Sequence, residues 1–275
     1  MWRVCVDLLR EAASRKWFLG LFLAVTLVLC VLGLSLRMDV VDGALAGITL
    51  FGRLFDDHVL AVDVALRPVF GAATALIYFG GTLFLILACA DFGPELFAPG
   101  RIEHLLSLPV RRWQLLLGTW LGVLLLAAAC ALYGSGGVVV ILGMKTGVWT
   151  VKPILGALLS VVSFAAIYGV MLAVPLYVRS AALSVAVGFL FFVSGIIASY
   201  RKELGELFEE GLAREAFETV TLVLPRLGAL GTNAIYYSRA QVVDARTVLA
   251  IAAGCVLYAA AGLMVGVWRF ERKDF

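Results

Sequence analysis

The feature that most constrains this chain is a set of long stretches with no ionisable side chain. Six stretches, Trp17–Leu36, Val69–Ala90, Trp113–Val140, Pro153–Val178, Ala181–Ser199 and Val248–Trp268, contain no Asp, Glu, Lys, Arg or His. About 20 apolar residues suffice to cross the ~30 Å hydrocarbon core of a bilayer as a helix. A single charge at mid-membrane costs roughly 2.5–3.5 kcal/mol on the insertion scale, so the absence of charge is informative. A mean hydropathy of +1.02 and 15% charged residues exclude an ordinary soluble domain, which carries about 25% charge. The predicted fold is all-α: a polytopic helical membrane protein with six spans over residues 17–275 and no soluble domain.

The third stretch is too long for one straight span. "YGSGG" at 133–137 marks a helix end or a kink, with "VVVILG" as a short extension, or a seventh partial segment. Residues 1–16 read as an amphipathic interfacial helix. Arg3, Asp7, Arg10 and Ser14 fall on one face, and Trp2, Val6, Leu9 and Ala13 on another. Glu11 and Arg15 stand at a favourable i,i+4 spacing. Such a helix lies along the headgroups before the chain turns inward. No small-x-small cleavage site follows the first span, which reads as retained rather than removed.

With six spans, both termini share one side. The short connections on that side hold as many Lys and Arg as the opposite loops, 11 each, in about half the length. That density places both termini in the cytoplasm. On the other side, "KELGELFEEGLAREAF" offers Leu204, Leu207, Phe208 and Leu212 on a helix, with Lys202–Glu206 and Glu210–Arg214 pairs. "TVTLVLPRLGALG" is too short to span and reads as interfacial or re-entrant. The half-apolar loop 37–68 is expected on the outer surface.

Several patterns invite a chemical reading and do not sustain it. Glu209, Glu210 and Arg214 match the E-E-x-x-x-R of intramembrane prenyl-protein proteases. That chemistry needs downstream histidines, whereas His58 and His104 both lie upstream. "GMKTG" at 143–147 has Met144 where a phosphate-binding loop needs glycine, so the chain has no ATP site of its own. Cys5, Cys30, Cys89, Cys130 and Cys255 form no C-x-x-C, and neither a metal site nor a disulfide framework is expected. The formal charge of +3 gives no reason to expect a nucleic-acid partner. Gly118/Gly122 and Gly262/Gly266 are small-x-x-x-small pairs suited to close helix approach, within one subunit or between two.

The polar interruption "ADFGPELFAPGRIEHLLSLPVRRW" at 90–113 is the most informative segment. Pro94, Pro99 and Pro109 cut it into short pieces. Between Gly100 and Pro109, about two helical turns place Ile102, Leu105 and Leu106 on one face and Glu103, His104 and Ser107 largely opposite. A helix this short is unstable alone and must pack on the bilayer, the bundle or another protein. Arg111 and Arg112 stand where arginines reach headgroups.

"PELFAPGRIEHLLSLPVRRWQLLLGTWLG" resembles the cytoplasmic loop between the second and third spans of type-2 ABC export permeases. Glu95, Gly100, Glu103, Leu105, Leu106, Ser107, Pro109 and Arg111 stand at the family's positions. Arg101, where a small polar residue is common, and Arg112-Trp113 depart from it. The overall plan is similar too, closest to permeases related to the nitrous-oxide-reductase maturation transporter. The resemblance implies a transmembrane subunit of a bacterial inner-membrane transporter, paired with a second permease that is identical or a paralogue. It also implies separate ATPase subunits, holding ATP and Mg, that dock on residues 95–108 including His104. Thr74, Tyr78, Thr82, Ser160, Ser163 and Tyr168 are the expected pathway lining, suited to an amphiphilic cargo among membrane lipids. The rivals are an ion-coupled secondary transporter, a membrane enzyme built on Glu209, Glu210 and Arg214, and a non-transporting membrane anchor.

Overall fold

A computed structural model describes residues 2–14, 16–41, 44–50, 53–56, 60–107, 111–208 and 211–272. The body is helical. Helix α1 (Trp2–Ser14) precedes α2 (Lys16–Ser35), and the two axes differ by 66°. An antiparallel sheet then interrupts the helices within the loop expected on the outer surface: β1 (Leu36–Val41), β2 (Ala44–Leu50), β3 (Arg53–Asp56) and β4 (Leu60–Ala61). Strand β2 pairs with β1 (Leu36 opposite Leu50), with β3 and with β4. Along β1, Leu36, Met38 and Val40 alternate with Arg37 and Asp39, a period-2 signal that the loop reading passed over.

The second span is longer than its uncharged stretch and begins at Val62. It comprises α3 (Val62–Ala75), a π-helical turn (Leu76–Gly80) and α4 (Gly81–Ala88). Two short helices follow, α5 (Phe92–Leu96) and α6 (Arg101–Ser107). Helix α7 (Arg112–Thr146) runs unbroken through "YGSGG", so the expected helix end does not occur. In a medium without water no competing partner draws backbone groups out of a helix, and glycine loses much of its breaking power. Gly147, at φ +73°, ends α7 in the left-handed region where glycine carries no Cβ penalty. "GMKTG" is thus a helix C-terminus.

Helix α8 (Lys152–Ala173) closes in a 3₁₀ turn at Val174–Leu176, and α9 spans Ala181–Ser199. Then come α10 (Arg201–Gly205), α11 (Leu212–Val223), α12 (Leu227–Ser238) and α13 (Ala245–Glu271). The carboxylate of Asp244 caps α13, accepting from the Thr247 hydroxyl at 2.6 Å and from the Arg246 and Thr247 amides. Those hydrogen bonds hold its pKa below the ordinary carboxylate value. Five helical segments among the described residues are long and apolar enough to cross a membrane, and α2 with α1 brings the number to six.

Helix α8 is the centre of the bundle. It packs against α7, α12, α13 and α9 and buries Phe164, Ala166, Ile167 and Tyr168. With lipid outside as apolar as the core, close backbone approach replaces the hydrophobic effect as the source of helix association. A Cβ at Gly262 of α13 would lie 2.7 Å from the Gly169 carbonyl carbon. One at Gly169 would lie 2.9 Å from the Ala259 oxygen. Gly262 therefore serves packing within the subunit, and Gly122 likewise admits α1, its Cβ position 3.2 Å from Leu8. Gly262→Val should lower the thermal midpoint in detergent by several degrees, the effect of about 1–3 kcal/mol of overpacking. Gly254→Val in the same helix, with open space at its Cβ, should leave it within about a degree; equal losses would refute the close-approach account.

Candidate functional site: the loop between the second and third spans

The segment between α4 and α7 folds onto the end of the bundle where α1 and the C-terminus of α13 lie. Phe92, Leu96, Phe97 and Ile102 are buried. Phe92 stacks on Phe18 of α2 (centroids 6.3 Å), and Phe97 meets the edge of Phe270 of α13 (5.2 Å). Gly93 faces Pro175, where a Cβ would come within 2.9 Å. These apolar contacts supply what two short helices cannot supply alone. Gly100, at φ +80°, turns the chain from α5 into α6.

Arg101 is the electrostatic centre of the segment. Its guanidinium reaches back 90 residues in sequence to Glu11 of α1. Nη2 lies 2.6 Å from Oε2 and donates to it, and Nη1 donates to Oε1 at 3.4 Å. Glu95 of α5 lies 3.8 Å away. The Glu11 hydrogen bond, foremost, and the two nearby carboxylates push the Arg101 pKa above its already high ordinary value. Arg101 therefore ties the loop to the N-terminal helix. Glu11 was expected to pair with Arg15, which lies outside the described residues; the Arg101 contact is what the structure adds.

Helix α1 also presents a different face from the one its sequence suggested. Cys5, Leu8 and Ala12 are buried against α7, whereas Val6 and Leu9 are half-buried and Ala13 is exposed. Burial raises the Cys5 thiol pKa.

On α6, Ile102 points inward and Leu105 is half-buried against the core, while Arg101, Glu103 and Ser107 are exposed. Pro109 and the side chains of His104 and Leu106 lie outside the described residues. Arg111 is exposed, and its backbone amide donates to the Gln114 side chain at 3.1 Å, capping α7. Arg112 does not extend to the headgroups as expected. It sits over the Phe270 ring and donates to the Phe270 and Glu271 carbonyls at 3.0 and 3.3 Å. A cation at the C-terminal carbonyls of α13 is favourable for the helix dipole.

The six expected pathway residues are brought together in part. Thr74, Tyr78, Thr82, Ser160, Ser163 and Tyr168 are all buried, none more than 6% exposed. Tyr78, in the π-helical turn, donates to the Leu227 carbonyl at 2.7 Å, which leaves its oxygen to accept from Ser163 of α8. Gly231 makes room for its ring; a Cβ there would lie 2.7 Å from it. Tyr168 stacks on Phe164. Ser160 donates to the Ala157 carbonyl at 2.6 Å. The hydroxyls of Thr74 and Thr82 are buried and have no hydrogen-bond partner among the described residues.

Sequence reasoning left 219–231, the end of α11 and the start of α12, open between interfacial and re-entrant; α12 is the part that enters the bundle. The structure buries it against α8, α3 and α9. Twelve residues rise only ~18 Å, too short to span. The Ser199 hydroxyl of α9 accepts from the Ala229 amide at 2.9 Å, satisfying a donor in its first turn. Of the E-E-x-x-x-R match, Glu209 and Glu210 lie outside the described residues, and Arg214 pairs with Glu218 at 3.0 Å. His58 also lies outside them. No cluster of metal-ligating side chains occurs among the described residues.

No protein-family model matches the chain, and no curated protein matches it in sequence.

The Arg101–Glu11 contact is partly exposed, so its worth is modest, about 0.2–1 kcal/mol, and falls with added salt. A thermal-unfolding double-mutant cycle on Arg101→Ala and Glu11→Ala should return a coupling of that size at low salt. Strict additivity at low salt would show that the contact does not tie the segments together.

Proposed function

We propose that this chain is the membrane-embedded permease subunit of an ATP-binding-cassette transporter, an exporter of the bacterial inner membrane with both termini cytoplasmic. A separate ATPase, which binds ATP and Mg, docks on α5 and α6, and a second permease, identical or a paralogue, completes the pathway. The observation that carries this reading is the construction of α6. A two-turn helix is held by buried apolar contacts and an ion pair to α1, yet presents Glu103 and Ser107 outward. A segment anchored so firmly and projecting polar groups suits a handle for a soluble partner.

Force applied to such a handle has two routes into the bundle. Phe92 and Phe97 pass it to α2 and α13, and Arg101 passes it to α1, which lies on α7. The buried hydroxyls of Thr74 and Thr82 support an alternate state in which they meet water or cargo. A buried polar group without a partner costs about 1–3 kcal/mol, a cost that opening of α3 and α4 away from the helices packed on them would remove. In that state the six hydroxyl-bearing residues would line the passage, with α12 moving away from Tyr78.

Leu105 packs inward, so a test of docking must leave it in place. Glu103→Arg with Ser107→Arg changes only exposed positions. The chain purified with its ATPase should show ATP hydrolysis above that of the ATPase alone. The double variant should bind the ATPase at least about tenfold more weakly, ~1.4 kcal/mol, with an unchanged thermal midpoint. Full affinity and full stimulation in the double variant would refute docking at α6.

A further inference from the structure

At mid-depth in the bundle, a recess of about 380 Å³ lies between α2, the π-bulged second span and α7. Its lining runs from Leu21 to Leu29 on α2, from Ala73 to Leu85 across the π-helical turn, and from Ala127 to Val138 on α7. Each stretch falls at the middle of its own helical segment, so the recess sits near the bilayer midplane. At 1.5 Å per residue those stretches extend ~12–18 Å. The volume spread over that length leaves a cross-section of about 20–30 Å², one alkyl chain wide.

Small residues cut the recess. Gly80, Gly81, Ala131 and Gly134 leave volume that larger side chains would fill, and a Cβ at Gly81 would meet nothing within 4 Å. Val28 and Leu76, each more than half exposed, stand at its mouth. Its polar content is minimal. The Ser160 hydroxyl already donates to Ala157, and beyond it the lining offers only the Cys130 thiol. A headgroup, sugar or peptide would lose its hydration there and find no partner, and an apolar recess of this kind does not hold water.

We propose that this recess is a binding site for the methyl-terminal part of one lipid acyl chain, inserted between α2 and the π-helical turn. Depth, width and chemistry each select hydrocarbon and reject a polar ligand. The inserted chain separates α2 from the turn that carries Tyr78, so its presence bears on how that turn moves. The site goes beyond the permease reading, and its occupancy requires no ATPase.

The test uses the full chain alone in nanodiscs of phosphatidylethanolamine and phosphatidylglycerol doped with a phospholipid bearing a diazirine near its chain terminus. After photolysis, adducts are mapped by mass spectrometry. Adducts should concentrate on residues 73–85 and 127–138 over the lipid-exposed face of α13 at Leu249, Leu257 and Met264. Gly81→Phe, and separately Ala131→Leu from the opposite wall, should cut the adducts in the recess at least about fivefold by occupying its volume, with α13 labelling unchanged. Gly254→Phe, away from the recess, should change neither. Uniform labelling of recess and α13, persistence of recess adducts in both filled variants, or their loss in Gly254→Phe would overturn the proposal. Because the assay contains no ATPase, loss of docking at Glu103 leaves its outcome unaffected.

Discussion

Charge-free helices in lipid have neither ion pairs nor a hydrophobic driving force to bring them together, and everything in this bundle follows from how α8 meets that constraint. Its glycines bring backbones within van der Waals distance. Gly169 nests against Ala259 and Gly262, and Gly156 lies against the Ala234 carbonyl of α12. Where polar groups enter the core they are tied across helices. Tyr78 reaches both Ser163 and the Leu227 carbonyl, and Trp120 of α7 donates to the Ala165 carbonyl at 3.2 Å. The short helix α12 depends on the same device, since Ser199 satisfies an amide that lipid leaves orphaned.

The polar groups concentrate where the chain leaves the bilayer. At that end α1, α5, α6, the start of α7 and the end of α13 form one connected surface through Glu11, Arg101, Phe97, Arg112 and Phe270. The contrast between a core of close-packed small residues and an end tied by ion pairs and aromatic rings supports the handle reading. Through these contacts the loop is joined to α1, α2 and α13 at once. The recess beside the π-helical turn lies within this arrangement, on the side where α2 is largely exposed.

Much of this architecture was legible in the sequence because it rests on local composition. Helix α9 occupies the uncharged stretch Ala181–Ser199 from end to end, and α13 extends its stretch only by the turns that Asp244 and Arg112 cap. Other features were not local. The Glu11–Arg101 contact joins residues 90 apart, and a nearer arginine offered Glu11 a plausible partner. The buried face of α1 lay one position from the expected one, because apolar residues occur on both sides of a short helix. "YGSGG" read as a break on soluble-protein rules that lapse in a bilayer. Residues 36–41, 44–50, 53–56 and 60–61 form a sheet whose strand signal was masked by an overall apolar composition. Of the candidate site, Ile102 inside and Glu103 and Ser107 outside followed from helical spacing, whereas the inward turn of Arg112 depended on the distant end of α13.

The account stands on α5 and α6 facing the compartment that holds ATP. In a background with Cys5, Cys30, Cys89, Cys130 and Cys255 replaced, a single cysteine at the exposed position 107 can be tested with a membrane-impermeant maleimide. The account predicts labelling in inside-out vesicles and protection in right-side-out ones, as for a cysteine at Ser14. Labelling of position 107 from the outer face would contradict it.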